Sequence, residues 1–311
     1  MEILISSLSF CCRTIPSIIL GIVLVNILEN LGWTKRIGWI AKPFTRLGRL
    51  KDACGVSFIV SFGSPSSANA MLMQLFRENK IDKKEMYIAS LANTFPSALT
   101  HWRSMLPVLI PLLGVTGIVY FGIYIFIGFV KTIAVLIAGR FLLKDNTKQV
   151  QVDSPVFVRL KSAELLKKSI RQGWPLMRRV IFITIPVTVL VFFLVDIGVF
   201  DWLTLHIQGV TRFFPVPVEG LSISAAYFGH TVAAYTIAGN MLTAGVISAK
   251  NIILSLLLGQ LLSSVVSSFR HSAPYYIGIF GTKLGIELLL YSSGIHVFFT
   301  IIMFYCIYFF A

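Results

Sequence analysis

Apolar positions in this chain come in long runs rather than in the stripes of a water-soluble helix or strand. Predominantly apolar stretches cover 14–32, 118–139, 179–199 and 286–310, and ~20 such residues suffice for a helix to cross the hydrocarbon of a bilayer. Two more, 87–112 and 251–278, are as long but are interrupted by polar residues and proline. Together they predict six membrane-crossing helices. Two further apolar stretches, 53–76 and 220–244, are rich in Gly, Ser, Ala and Thr, and each holds a glycine-centred turn signal. Too short to cross twice, they predict re-entrant hairpins, which a bilayer tolerates only where protein or water covers the bare backbone.

One segment is plainly polar. After the helix-start signal Asp153-Ser154-Pro155, the residues Leu160, Ala163, Leu166, Ile170 and Trp174 recur at helical spacing among Lys161, Lys167, Lys168 and Arg171. An amphipathic basic helix of this kind suits the anionic surface of a membrane. It makes 145–175 an interfacial linker between a first unit, 1–144, and a second, 176–311.

Composition names the solvent. Of 311 residues, 56 % are apolar and 13 % charged, against about 45–50 % and about 25 % in a soluble domain. Too little polar surface exists to coat a particle in water, which argues against aqueous enzymes, nucleic-acid binders and disulfide scaffolds. The net charge of +14 then reads as topology, because Lys and Arg collect on the cytoplasmic side. Three stretches, 35–51, 77–85 and 140–180, hold 20 of the 27 bases, so they are expected in the cytoplasm of a multi-pass protein of the cell membrane, with both termini outside. Cys11, Cys12, Cys54 and Cys306 have neither metal-ligand spacing nor a disulfide pattern. The N-terminus lacks the basic start and small-residue cleavage site of a signal peptide.

The chain also repeats itself. Shifted by 166 residues, Phe62-Gly63 falls on Phe228-Gly229, Ala68 on Ala234, Ile81 on Ile247, Lys84 on Lys250, Leu91 on Leu257 and Ser97 on Ser263. One residue more aligns Arg103 with Arg270, Pro107 with Pro274 and Gly114 with Gly281. Each unit reads as a span, an interfacial stretch, a hairpin and two further spans. Three crossings is an odd number, so the second unit should enter the membrane upside down. Charge agrees: the counterpart of basic 35–51, about 200–219, has only Arg212 against Asp201 and Glu219, and 241–251 has Lys250 alone. The fold class expected is an all-α integral membrane protein of two inverted-topology repeats, a pattern associated with carriers whose site lies where broken helices meet.

Candidate chemistry sits at those breaks. The first hairpin tip offers Gly63, Ser64, Ser66 and Asn69 around Pro65, and the second offers Gly229, His230 and Thr231. Glycine permits the turn, proline suits a helix start, and hydroxyls cap free N–H groups. An inward helix N-terminus favours an anion or polar oxygen. In the interrupted spans stand Asn93, Thr94 and Ser97, followed by His101 and Arg103, and their partners Gln260, Ser263 and Ser267, followed by Arg270. Arg103 and Arg270 carry forked donors suited to carboxylate or phosphate; if they face a cavity, the solute is anionic. The same small and polar residues also serve close helix packing, and arginines near span ends can reach the headgroups. Lys131, Asp196 and Glu287 are the other charges in or near spans, and Lys131 with Glu287 would make a gate or proton relay. No nucleophile elbow, His-Glu-x-x-His, Walker loop or acidic metal cluster occurs, so neither an enzyme nor a bound metal or cofactor is expected.

A small-residue hairpin opened by Phe-Gly (Phe62-Gly63, Phe228-Gly229), then a short polar link and a proline- or serine-interrupted span, resembles the Gate or nucleoside recognition domain. That domain occurs in concentrative nucleoside transporters, in the pore of the ferrous iron transport protein B and in spore maturation proteins A and B. The resemblance covers roughly 53–140 and 220–310. It implies that Gly63, Ser64, Asn69, Asn93, Thr94 and Ser97, with Gly229, Thr231, Gln260 and Ser263, line a substrate path. Gly63 is followed by Ser64-Pro65-Ser66 rather than the cysteine-containing tip of the iron pore, which points away from iron. The arginines and scarcity of carboxylates point away from sodium-coupled nucleoside uptake.

The sequence therefore predicts a secondary transporter of a small polar, anionic solute, of the organic anion, nucleoside or nucleotide class, working by alternating access. The alternative is a non-transporting membrane scaffold or assembly protein on the same fold. The expected partners are the solute and the lipid bilayer, not nucleic acid. The coupling ion (H+ or Na+) and a homo-oligomeric state stay open.

Overall fold

A computed structural model describes residues 41–143, 164–171 and 213–310, with a few single positions elsewhere. The spans expected over 14–32 and 179–199, most of the polar linker, and Asp196 lie outside the described residues. These contain helices, turns and no strand. Three helices are long and apolar enough to cross a membrane: Trp102–Leu142, Ala249–Ser267 and Thr282–Phe310.

The described part of the first unit holds α1 (Ala41–Leu47), α2 (Asp52–Ser61), α3 (Pro65–Arg77) and α4 (Lys83–Ala92). Its short α5 (Thr94–Thr100) leads into α6 (Trp102–Leu142). The second unit has α7 (Val218–Gly229), α8 (Thr231–Thr243) and α9 (Ala249–Ser267), a π turn over Ser268–Ser272, then α10 (Ala273–Phe280) and α11 (Thr282–Phe310). The stretches 53–76 and 220–244 are thus helix–turn–helix pairs, α2–α3 and α7–α8.

The start of α2 has no side-chain cap of its own. Glu85 of α4 supplies one: its carboxylate accepts from the Lys51 backbone N–H at 2.8 Å and pairs with Lys51 Nζ at 3.2 Å. Glu85 is itself held because Asp82 caps α4, accepting from the Glu85 N–H at 2.7 Å. Buried Leu72, Met86, Ala92 and Leu136 close the core behind this helix pair, with Phe280 and Leu288 arriving from the second unit. A second core joins α7, α8 and α9 to Leu109, Leu112 and Tyr120 of α6. The outer faces of α6 and α11 are apolar and bare, with Val115, Phe141, Leu290 and Phe309 each at least two-thirds exposed. That surface belongs in lipid.

The expected spans 87–112 and 251–278 are not single helices. The first breaks between α4 and α5 and again at His101; the second breaks at the π turn. Pro96 is the cause of the first break, since it has no N–H to give the Ala92 carbonyl. The chain also bends at Gly114 (φ 54°, ψ −128°) and Gly281 (φ 78°, ψ 170°), left-handed conformations that glycine adopts without a Cβ clash. The expectation of Lys131 paired with Glu287 is not met. Lys131 Nζ instead donates to Ser292, and Glu287 is held by Lys83 at 2.7 Å and by the Tyr87 hydroxyl at 2.7 Å. Glu287 precedes Ser292 by five residues, which turns it ~140° around the helix from the face that Lys131 meets.

Helix α8 crosses α6 at very short range. A Cβ placed on Gly239 would lie 2.6 Å from the Leu112 carbonyl oxygen, a backbone atom that cannot swing away. Gly239→Ala should therefore lower stability by ~1–3 kcal/mol, measured as thermal unfolding of the purified protein in detergent. Gly122→Ala, with nothing within 4 Å of the added carbon, should leave the unfolding temperature unchanged.

Candidate functional site

A cavity of about 610 Å³ lies between the two units. Its walls come from α6, the α7–α8 joint, α9, the π turn and α11. Helix α9 presents Gln260, Ser263, Ser264 and Ser267 to it, a spacing that puts all four on one face. Serines in a helix can bond back to their own carbonyls. Here Ser264 Oγ donates to Leu261 O at 2.6 Å and Ser263 Oγ to Gln260 O at 3.3 Å. Directly after this serine-rich turn the helix widens to the π turn, which adds Ser268, His271 and Ser272 to the wall. Ser268 is tied across to Ser293 of α11, hydroxyl to hydroxyl, at 3.1 Å.

At the joint of the second helix pair, His230 is extended (φ −163°), and its Nδ1 accepts the Val232 N–H at 3.1 Å, capping α8. Nδ1 as acceptor leaves the ring proton on Nε2. His230 and Thr231 line the cavity beside Tyr227 and Tyr235. A polar chain runs behind them: the Tyr120 hydroxyl lies 3.4 Å from Tyr227 Oη and donates to Gln260 Oε1 at 3.4 Å, and Gln260 Nε2 stands 3.1 Å from His296 Nε2. An amide nitrogen donates, so His296 Nε2 accepts.

Lys131 also lines the cavity. It is 2 % exposed, and its Nζ donates to the Ser292 carbonyl at 3.0 Å and to Ser292 Oγ at 3.1 Å. The described lining thus holds one lysine and the four histidines His101, His230, His271 and His296, with no carboxylate. The histidines do not form a metal site; no group of three or more His, Cys, Asp or Glu that could hold a metal exists among the described residues.

Of the residues singled out in the sequence, the cavity brings together His230, Thr231, Gln260, Ser263 and Ser267. Gly229 ends α7 and Arg270 sits within the π turn. Gly63, Ser64 and Ser66 stand at the α2–α3 turn, away from the cavity, and Arg103 is not part of its lining. Asn69, Asn93 and Thr94 belong to a separate polar seam. Asn69 accepts from Ser90 Oγ at 3.0 Å and donates to the Tyr275 hydroxyl at 2.8 Å. Asn93 donates to Ser57 Oγ at 2.9 Å. Thr94 Oγ1 donates to the Leu91 carbonyl at 2.6 Å. Ser97 offers its carbonyl to His101 Nδ1 at 3.0 Å.

Sequence reasoning placed His101 and His271 with the interrupted spans and missed His296 as a wall residue, along with Ser292 and Ser293. A signal existed for the last two: a serine pair followed by a histidine inside the apolar run 286–310 is costly in lipid unless it faces inward.

Three comparisons bear on the chain. A model of a family described as Gate, nucleoside recognition, matches residues 11–118. An uncharacterized protein of Methanocaldococcus jannaschii is 34 % identical over 307 residues, covering 96 % of this chain and 95 % of that protein. Two more uncharacterized proteins of that organism are 27 % and 25 % identical, covering 95 % and 91 % of this chain and 92 % of each relative. No solved structure matches.

The α4–α5 break is closed by one side chain. Thr132 Oγ1 of α6 donates to the Ala92 carbonyl at 2.9 Å and accepts the Phe95 N–H at 3.1 Å, serving the carbonyl that Pro96 leaves stranded and an N–H of the first turn of α5. Thr132→Val keeps the shape and removes both bonds. It should lower stability by about 2–4 kcal/mol, the cost of two buried orphans. Thr132→Ser should recover most of the loss, read from unfolding curves in detergent.

Proposed function

The chain belongs to the Gate, or nucleoside recognition, family of membrane proteins, and from that premise we propose that it is a carrier of a small polar, anionic solute, working by alternating access. The observation that carries this reading is the cavity of about 610 Å³ with a lysine and four histidines in its wall and no carboxylate among the described lining residues. A scaffold has no use for such a cavity, since filling it with apolar side chains would be more stable.

Alternating access needs two similar halves. The order helix pair, broken segment, left-handed glycine and long helix occurs twice in the chain, with Gly114 and Gly281 at matching places. Packing is exchanged between halves. Asn69 of the first helix pair bonds Tyr275 on α10, after the break of the second unit. Gly239 of the second pair abuts Leu112, after the break of the first. Such reciprocity suits two repeats related by a twofold axis in the membrane plane, with α2–α3 and α7–α8 entering from opposite faces as re-entrant hairpins. On this reading 1–144 and 176–311 are the inverted repeats, the basic loops 35–51, 77–85 and 140–180 are cytoplasmic, and the chain is a transporter rather than an enzyme.

The test is uptake into proteoliposomes of organic anions, nucleosides and nucleotides, with Gln260→Leu as the cavity variant. At least one class should accumulate, and Gln260→Leu should slow that uptake about tenfold or more while inserting normally, since the loss of a polar contact buried in the cavity costs ~1–3 kcal/mol. A folded sample that moves and binds none of the three classes overturns the carrier reading. Single cysteines at positions 42 and 212 should label from opposite sides of the vesicle; labelling from the same side overturns the inverted arrangement.

A further inference from the structure

The charge of the solute can be read from the wall that faces it. Lys131 is almost fully buried, and the partners of its Nζ are two oxygens of one neutral residue, Ser292. An ammonium has three N–H donors, so one is left over in the direction of the cavity. The groups around it add donors without adding fixed charge: the Ser268–Ser293 hydroxyl pair, His296 and His271. Glu287, the nearest acid along α11, is occupied elsewhere by Lys83 and Tyr87. A buried cation without a counter-charge is costly, and that cost falls when an opposite charge arrives.

We propose that Lys131 is the anion-binding residue of the cavity, and that the solute is a monoanion whose carboxylate seats on Lys131 Nζ beside Ser292. The inference rests on the carrier reading and narrows it. The one ammonium among the described lining residues balances one negative charge. A dianion such as a phosphomonoester would leave an uncompensated charge in a low-dielectric site, where each imbalance is expensive. Among the described lining residues no arginine fork offers the bidentate geometry that favours phosphate. Tyr227, Tyr235, His230 and Thr231, at the joint of the second helix pair and along α8, are polar lining residues that take the uncharged remainder of the solute.

The full-length protein in detergent is titrated, at neutral pH, with the monoanions lactate and benzoate, the dianions succinate and AMP, and neutral adenosine, following thermal stabilisation. A monoanion should stabilise the protein at the lowest concentration. Its apparent affinity should fall about tenfold or more in Lys131→Gln and only about threefold or less in Lys131→Arg, since a hydrogen bond to a charged group is lost in one and kept in the other. Tighter binding of a dianion or of adenosine, or unchanged monoanion binding by Lys131→Gln, overturns the inference while leaving the carrier reading standing, because a ligand still occupies the cavity. Absence of binding and uptake for all five probes overturns both. Should Lys131→Gln fail to fold, the order of the probes on the unaltered protein decides.

Discussion

Inside a bilayer no water is at hand to take the hydrogen bonds of an interrupted backbone, so each break in a helix must be completed by protein or face a cavity. Much in this fold follows from that constraint. The chain breaks its helices at Pro96, at His101, at the π turn and at two left-handed glycines; at Pro96 a side chain steps in, and at His101 and the π turn the wall opens onto the polar cavity. Thr132 completes the break at Pro96 with one hydroxyl. His230 completes the joint of the second helix pair by capping α8. Glu85 completes the start of α2 from a neighbouring helix.

Polar side chains also tie the two units to each other, as Asn69 of the first helix pair does with Tyr275 of α10. Polar groups therefore gather at the seam between units, while Val115, Phe141, Leu290 and Phe309 face outward. A membrane protein with an apolar shell and a polar, open seam holds Lys131 where lipid cannot reach it. The seam is thus the element that both holds the fold together and lends it chemistry.

The sequence made the framework legible through features with a single physical meaning. Glycine, serine and proline at 63–66 and glycine at 229 marked the turns between paired helices, and the hydroxyl spacing from Gln260 to Ser267 marked an inward face. Helix continuity was harder to read: 87–112 is apolar enough to suggest one span, and only the position of Pro96 hinted at the break. Lys131 was visible as a charge in a span but its partner was not, because Glu287 and Ser292 sit on the same apolar run and differ only in rotation around it. Arg103 drew attention by its charge, whereas the cavity wall is built from residues of lower contrast: Ser292, Ser293 and His296. Contacts between distant helices are set by packing angles that a single chain does not spell out.

The central claim is that the seam is a water-filled path that opens to each side in turn. The most direct measurement is labelling of Ser267→Cys, in a background with Cys11, Cys12, Cys54 and Cys306 replaced, by a membrane-impermeant thiol reagent applied outside vesicles or trapped within them. The account predicts modification from both sides, slowed in each case by the bound solute. Modification from neither side, or from one side only under all conditions, would contradict it.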